Sequence, residues 1–153
     1  MRIHLGGSSR QSLVVARAKL DAAVKGASAA SASELSSHLF FAAEVLAKNT
    51  SVRRAFSDPS RDENSKAGLV KDLFASKISQ SATELLTAVA GLRWSAAGDL
   101  VHVVEQLAIE AEATAANLNG ELDRLESEFF ATSRVVADNF ELRKALVGHG
   151  SVA

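Results

Sequence analysis

The side chains of this 153-residue chain best suited to hold a metal or accept a phosphoryl group are its four histidines, His4, His38, His102 and His149. None has a second histidine three or four residues away, the spacing that would set two imidazoles on one helix face around a metal. His102 is the one candidate for phosphotransfer, but Val101, Val103, Val104 and Glu105 around it supply no basic support for an incoming phosphoryl group. The carboxylates at Asp62-Glu63, Glu110 and Glu112, and Glu121 to Glu128 read as solvated helix faces, not as a pair held in a cleft for acid–base work. Gly6-Gly7-Ser8-Ser9 lacks the spacing of a phosphate loop. There is no cysteine, so disulfides, thiolate metal sites and cysteine nucleophiles are excluded. These patterns assign no catalytic residue, no metal and no cofactor, which leaves binding by helix surfaces.

Composition bears on where those surfaces act. The formal net charge is −1 and the basic residues are scattered, so no field draws nucleic acid or anionic lipid. The N-terminus has no apolar signal region, and the longest apolar runs fall far short of a membrane span, so direct membrane insertion is not expected. A single proline, abundant alanine and no period-two alternation point to an all-α protein.

The apolar spacing predicts an up-and-down bundle of about six helices. Residues 1–8 read as a flexible leader. A first helix runs from Ser8 to Lys25, with a capping box of Ser8 and Gln11. Residues 26–33 read as a loop, and Ser31 with Glu34 caps a second helix whose buried stripe is Leu35, Leu39, Phe40, Ala43 and Leu46. A short helix covers Ser51 to Phe56. Asp58-Pro59 reads as a turn and a helix start, with proline at the first helical position, and a fourth helix is expected from Arg61 to Ala75 with Leu69, Leu73 and Phe74 inward. A fifth, capped by Ser79 or Ser81, carries Ala82, Leu85, Leu86 and Val89 and ends near Trp94. Trp94 reads as packing at that end, with contact to a partner as the alternative. A long stripe then runs from Leu100 to Val136. At Asn119-Gly120 either two antiparallel helices meet or one helix continues across the glycine, and the dipeptide favours the turn.

One segment occurs twice. Between Glu34–Ser57 and Arg124–Val147, without gaps, Leu35, Ser37, Phe40, Val45, Ala47, Asn49, Arg53 and Ala55 face Leu125, Ser127, Phe130, Val135, Ala137, Asn139, Arg143 and Ala145. Unrelated segments of this length share roughly two identities. The expected organisation is therefore a complete bundle over 9–118 and the start of a second copy over 119–147 that shares the long helix from residue 99, with a ragged end at 148–153. The basic pair Arg53-Arg54 returns as Arg143-Lys144. It reads as helix-dipole and solubility chemistry, or as a recurring salt bridge to another subunit. The apolar stripe from Leu118 to Val136 is expected to pack back on the first copy or to support self-association.

The ordered pieces Asn49, Val52-Arg53, Ser57-Asp58-Pro59, Lys66 to Phe74, Lys77-Ile78-Ser79, Glu84 to Val89 and Arg93 resemble the N-terminal domain of the delta subunit of F-type ATP synthase, the family of the oligomycin-sensitivity-conferring protein. Leu100 to Val147 resembles the usual start of a delta subunit, with Gly120-Glu121-Leu122-Asp123 at its turn and Asn139 to Arg143 beyond. The resemblance implies a duplicated N-terminal domain, with the family's C-terminal domain outside this chain. It implies a non-catalytic stator that joins the catalytic head to the peripheral stalk at the cytoplasmic face of the bacterial plasma membrane. Its implied partners are the N-terminal helix of an alpha subunit and, through a C-terminal part or a fusion, stalk subunit b. The alpha helix would lie in a groove between the first and fifth helices, near Leu13, Ala16 and Leu20 on one side and Leu86, Val89 and Arg93 on the other. The competing reading is a helical adaptor or regulatory bundle of an unrelated complex.

Overall fold

The computed structural model describes residues 5–134 of the chain, and the start of the expected leader (1–4), the later part of the expected second copy (135–147) and the expected ragged end at 148–153 lie outside the described residues. Six α-helices and no strands occur among the described residues: α1 (Gly7–Val24), α2 (Ala29–Lys48), α3 (Thr50–Ser57), α4 (Glu63–Phe74), α5 (Gln80–Ala90) and α6 (Ala97–Arg134). The all-α bundle expected from the apolar spacing is thus the observed architecture.

The core forms where the apolar stripes meet. Leu39, Leu46, Phe56, Phe74, Leu86 and Leu107 are among its fully buried side chains. Burying each such side chain contributes roughly 1.5–3 kcal/mol relative to leaving it in water. The main axis is the antiparallel pair of α2 and α6. Its register is set by the Ser36 hydroxyl, which donates to the Ala108 carbonyl at 2.7 Å, and by the Ser33 hydroxyl, which reaches Glu112 at 3.3 Å. With Ser36 opposite Ala108, the first residue of α2 lies opposite Ala115, which is buried. α6 continues through Asn119-Gly120 to Arg134 without a break, so the turn expected there does not form. A Cβ on Gly120 would meet nothing within 4 Å, so the glycine serves no close approach.

Several helix ends also differ from expectation. Ser28 is the N-cap of α2, accepting from the Ser31 amide, so the expected capping box of Ser31 and Glu34 does not form. Upstream, Val24 to Ala27 make a type II turn, with the Ala27 amide donating to the Val24 carbonyl at 3.0 Å and Gly26 at φ 75°. That turn is complete at Ala27, immediately before Ser28, which is why much of the expected loop is helix. Gly7 and Ser8 open α1 with Gly6 at the N-cap and no side-chain cap, in place of the Ser8 and Gln11 pair. Pro59 sits in a turn, not at a helix start: Asp58 accepts from both the amide and the hydroxyl of Ser60, and Asp62 caps α4 by accepting from the Ser65 amide. In α4 the deepest residues are Lys66, Val70 and Phe74, while Leu69 and Leu73 are only partly buried.

Candidate functional site: the α1–α5 seam and the α2–α3 corner

α1 and α5 run antiparallel. Ser12 lies beside the last turn of α5, its hydroxyl donating to the Arg93 carbonyl, while Ala23 lies near Ser81 at the other end. Between them, Ala16, Leu20, Leu86 and Val89 are buried, three of them at 1% exposure or less. These four expected partner residues form the floor of the seam and belong to the bundle's hydrophobic core. Arg93 is exposed and Leu13 half-buried. Leu13 lies four residues before Arg17, whose guanidinium pairs with Glu110 of α6 at 3.0 Å, so Leu13 is on the flank of α1 turned to α6. The flank turned to α5 is that of Ser12, Val15 and Lys19, at spacing i, i+3, i+7. Val15 is 40% exposed. Ala88 and Leu92 are partly buried on the α5 side. The rim of the seam is therefore Val15, Ala88, Leu92 and Arg93, and the apolar rim residues were missed because buried stripe and exposed flank differ by only one or two positions on a helix.

A cluster of serines fixes the Arg93 end of this seam. The Ser95 amide donates to the buried Ser9 hydroxyl at 2.7 Å, and Ser8 and Ser95 share a hydroxyl–hydroxyl bond at 2.8 Å. A Cβ on Gly6 would run into Ser95, so the start of α1 and the α5–α6 connection are in close approach. Trp94 is buried with its indole N–H donating to the Val89 carbonyl at 3.0 Å. It packs the end of α5, as its simpler reading expects.

The repeated residues converge at the corner between α2 and α3. The Asn49 side-chain amide donates to the Val45 carbonyl at 2.8 Å, and Arg53 Nη1 donates to the Leu46 and Ala47 carbonyls at 3.0 and 2.8 Å. Arg53 thus satisfies carbonyls that the last turn of α2 leaves without intrahelical partners, while Asn49 donates with both its side chain and its backbone amide to Val45, and the guanidinium sits at the negative end of the helix dipole. Asn49, Arg53 and the carbonyl-bearing Val45 and Ala47 all recur in the second segment. The repeated residues therefore include those that close α2 and lead into α3 in the first segment. Arg54 is exposed and makes no such bond.

His38 and His102 are the histidines among the described residues, and they serve separate places. His38 Nδ1 accepts from the Ser79 amide at 2.9 Å and so helps seat the start of α5, while His102 is exposed near the start of α6. Among the described residues, no group of three or more His, Asp or Glu is placed to hold a metal, and no helix is long and apolar enough to cross a membrane.

No family model matches the chain. Among curated proteins, it is 37% identical over 145 residues to the ATP synthase subunit delta of Streptomyces coelicolor, an alignment covering 95% of this chain and 53% of that protein. It is 39% identical over 140 residues to the subunit delta of Streptomyces avermitilis, covering 92% and 51%. The subunit delta of Kineococcus radiotolerans matches at 37% over 140 residues, covering 92% and 50%. The chain spans about half the length of the curated relatives it matches. With its helical bundle and the ordered motifs from Asn49 to Arg93, this chain is a homologue of the ATP synthase delta subunits, aligned over nearly all of its own length with about half of theirs.

Proposed function

We propose that this chain is part of a delta-type stator component of F-type ATP synthase, which links the catalytic head to the peripheral stalk by protein contacts and does no chemistry of its own. The observation that carries the reading is the match to bacterial delta subunits across more than nine-tenths of the chain. In this role the protein is held at the membrane by its complex and works as a tie between partners.

The docking site is the α1–α5 seam, with the N-terminal helix of an alpha subunit as occupant. Ala16, Leu20, Leu86 and Val89 form its packed floor, and Val15, Leu92 and Arg93 form the surface a partner helix would meet. An amphipathic helix laid there would cover the exposed Val15 without disturbing the core. Leu13, on the α6 flank, would lie at the margin of such a contact. Stalk subunit b would be engaged elsewhere, by parts of the whole subunit beyond this chain.

Isothermal titration of the chain with a peptide of the alpha N-terminal helix tests the reading. Saturable binding is expected, and Val15→Asp, at an exposed position, should weaken it about tenfold while leaving the melting curve in place. Absence of binding to the folded parent chain would remove the alpha-binding assignment and favour an adaptor in some other assembly.

A further inference from the structure

Beside the α2–α3 corner lies a cleft of about 370 Å³ whose lining includes Ala47, Thr50, Arg53 and Arg54 on one side and Val101 and His102 of α6 on the other. It is separate from the α1–α5 seam and shares none of its floor or rim residues. Two arginines and a histidine line it, and none of its lining side chains is acidic. This is a local concentration of positive charge on a chain whose formal net charge is −1. Arg53 is held in place by the carbonyls of Leu46 and Ala47 and by the Thr50 hydroxyl, so its charge is fixed at the cleft wall. Arg54 is exposed, and the ion pairs formed among the described residues, Arg17–Glu110 and Lys48–Glu44, do not involve it. The nearest acidic residue in the first turn of α6, Asp99, is only 9% exposed and does not line the cleft.

We infer that this cleft is a docking site for an acidic peptide segment of a partner protein, a contact additional to the one at the α1–α5 seam. Its lining favours a peptide over a bare inorganic anion. Ala47 and Val101 place apolar surface between the basic groups, which suits a segment that alternates carboxylates with small apolar side chains. The basic pair is also the part of the corner that helix closure does not explain. Arg53 alone caps α2, yet a second basic residue follows it here and again at Lys144 in the repeated segment.

Amide-resolved NMR titration of the full chain tests the proposal with three probes: a seven-residue peptide alternating glutamate and alanine, the matching lysine–alanine peptide, and inorganic phosphate. The glutamate peptide should shift Thr50, Arg54, Gly98 and His102 saturably, and the lysine peptide should not. Raising salt from about 50 to about 300 mM should weaken the binding, as expected where charges meet at an exposed site. Arg54→Glu should weaken it about tenfold with the melting midpoint unchanged, and Arg54→Gln reads the same loss, to a smaller degree, if the reversal disturbs folding. Val15→Asp, in the α1–α5 seam, should leave this binding intact, which separates failure here from failure of the seam assignment. The inference is overturned if the glutamate peptide gives no saturable shifts at these residues. It is equally overturned if both Arg54 variants bind like the parent, or if phosphate shifts the same residues and displaces the peptide.

Discussion

Lys66 is 4% exposed and lies on the inner face of α4 with Val70 and Phe74. Burial pulls its ammonium below the ordinary lysine value, and the charges of Asp58 and Glu63 only partly restore it. The folded chain therefore gives up this proton more readily than the unfolded chain. As pH rises through the folded value toward about 10.4, the unfolded state holds more protons and this residue's contribution becomes less unfavourable. Lys66→Met, which keeps the apolar stem, should raise stability at pH 7 by about 0.5 kcal/mol and flatten the alkaline rise specific to this site. Denaturant titrations of parent and variant at neutral and alkaline pH would show it, and a less stable variant at pH 7 would contradict it. Nothing in the residue pattern singled out Lys66, because a lysine between two apolar turns looks the same whether its stem is buried or free. Arg53 was legible as a recurring base but not as a cap, since reaching carbonyls six and seven residues back depends on how sharply α3 turns from α2.

The helices themselves were legible because each carries a continuous apolar stripe, and their ends were not. The segment Gly26 to Ser33 offers serines at 28, 31 and 33, any of which could cap α2. Ser28 prevails because the turn at Gly26 has already reversed the chain two residues earlier. At Asn119-Gly120 the dipeptide suited a turn, but the stripe stays in phase across it and the helix continues. Gly120→Ala separates the two geometries. Within a helix it should raise helix content and stabilise the segment by about 0.5–1 kcal/mol, since no neighbour lies within 4 Å of the added methyl. Circular dichroism at 222 nm through a thermal melt would register the gain, and a loss of helix signal would indicate a turn.

At the scale of the molecule, the bundle closes through polar contacts between residues more than eighty positions apart. Ser9 is fully buried, and its hydroxyl accepts from the Ser95 amide. Ser9→Val keeps the shape but leaves that amide without its partner, at a cost of about 1–3 kcal/mol. The variant should melt earlier, and amide exchange should quicken at the start of α1 and at the α5–α6 connection. Unchanged exchange at both ends would mean that the serines are incidental to closure. This pairing was not legible beforehand: small residues at positions 6–9 and 95–98 resemble ordinary linkers, and only the fold brings the two stretches together. The burial of Ala16, Leu20, Leu86 and Val89 was legible from the apolar stripes of α1 and α5, whereas which flanking residues stay exposed depended on the rotation of each helix about its own axis.

The register of α2 against α6 has a consequence for the order of events during synthesis. The wall that covers α2 is supplied by residues that follow it by some seventy positions, with Ser36 meeting Ala108. A nascent chain emerging from a ribosome thus exposes Leu35, Leu39 and Leu46 through the translation of α3, α4 and α5, and can bury them fully only once α6 has cleared the exit tunnel. For that interval the growing chain presents an apolar helix face to solvent, open to a chaperone or a neighbouring nascent chain before its own partner arrives.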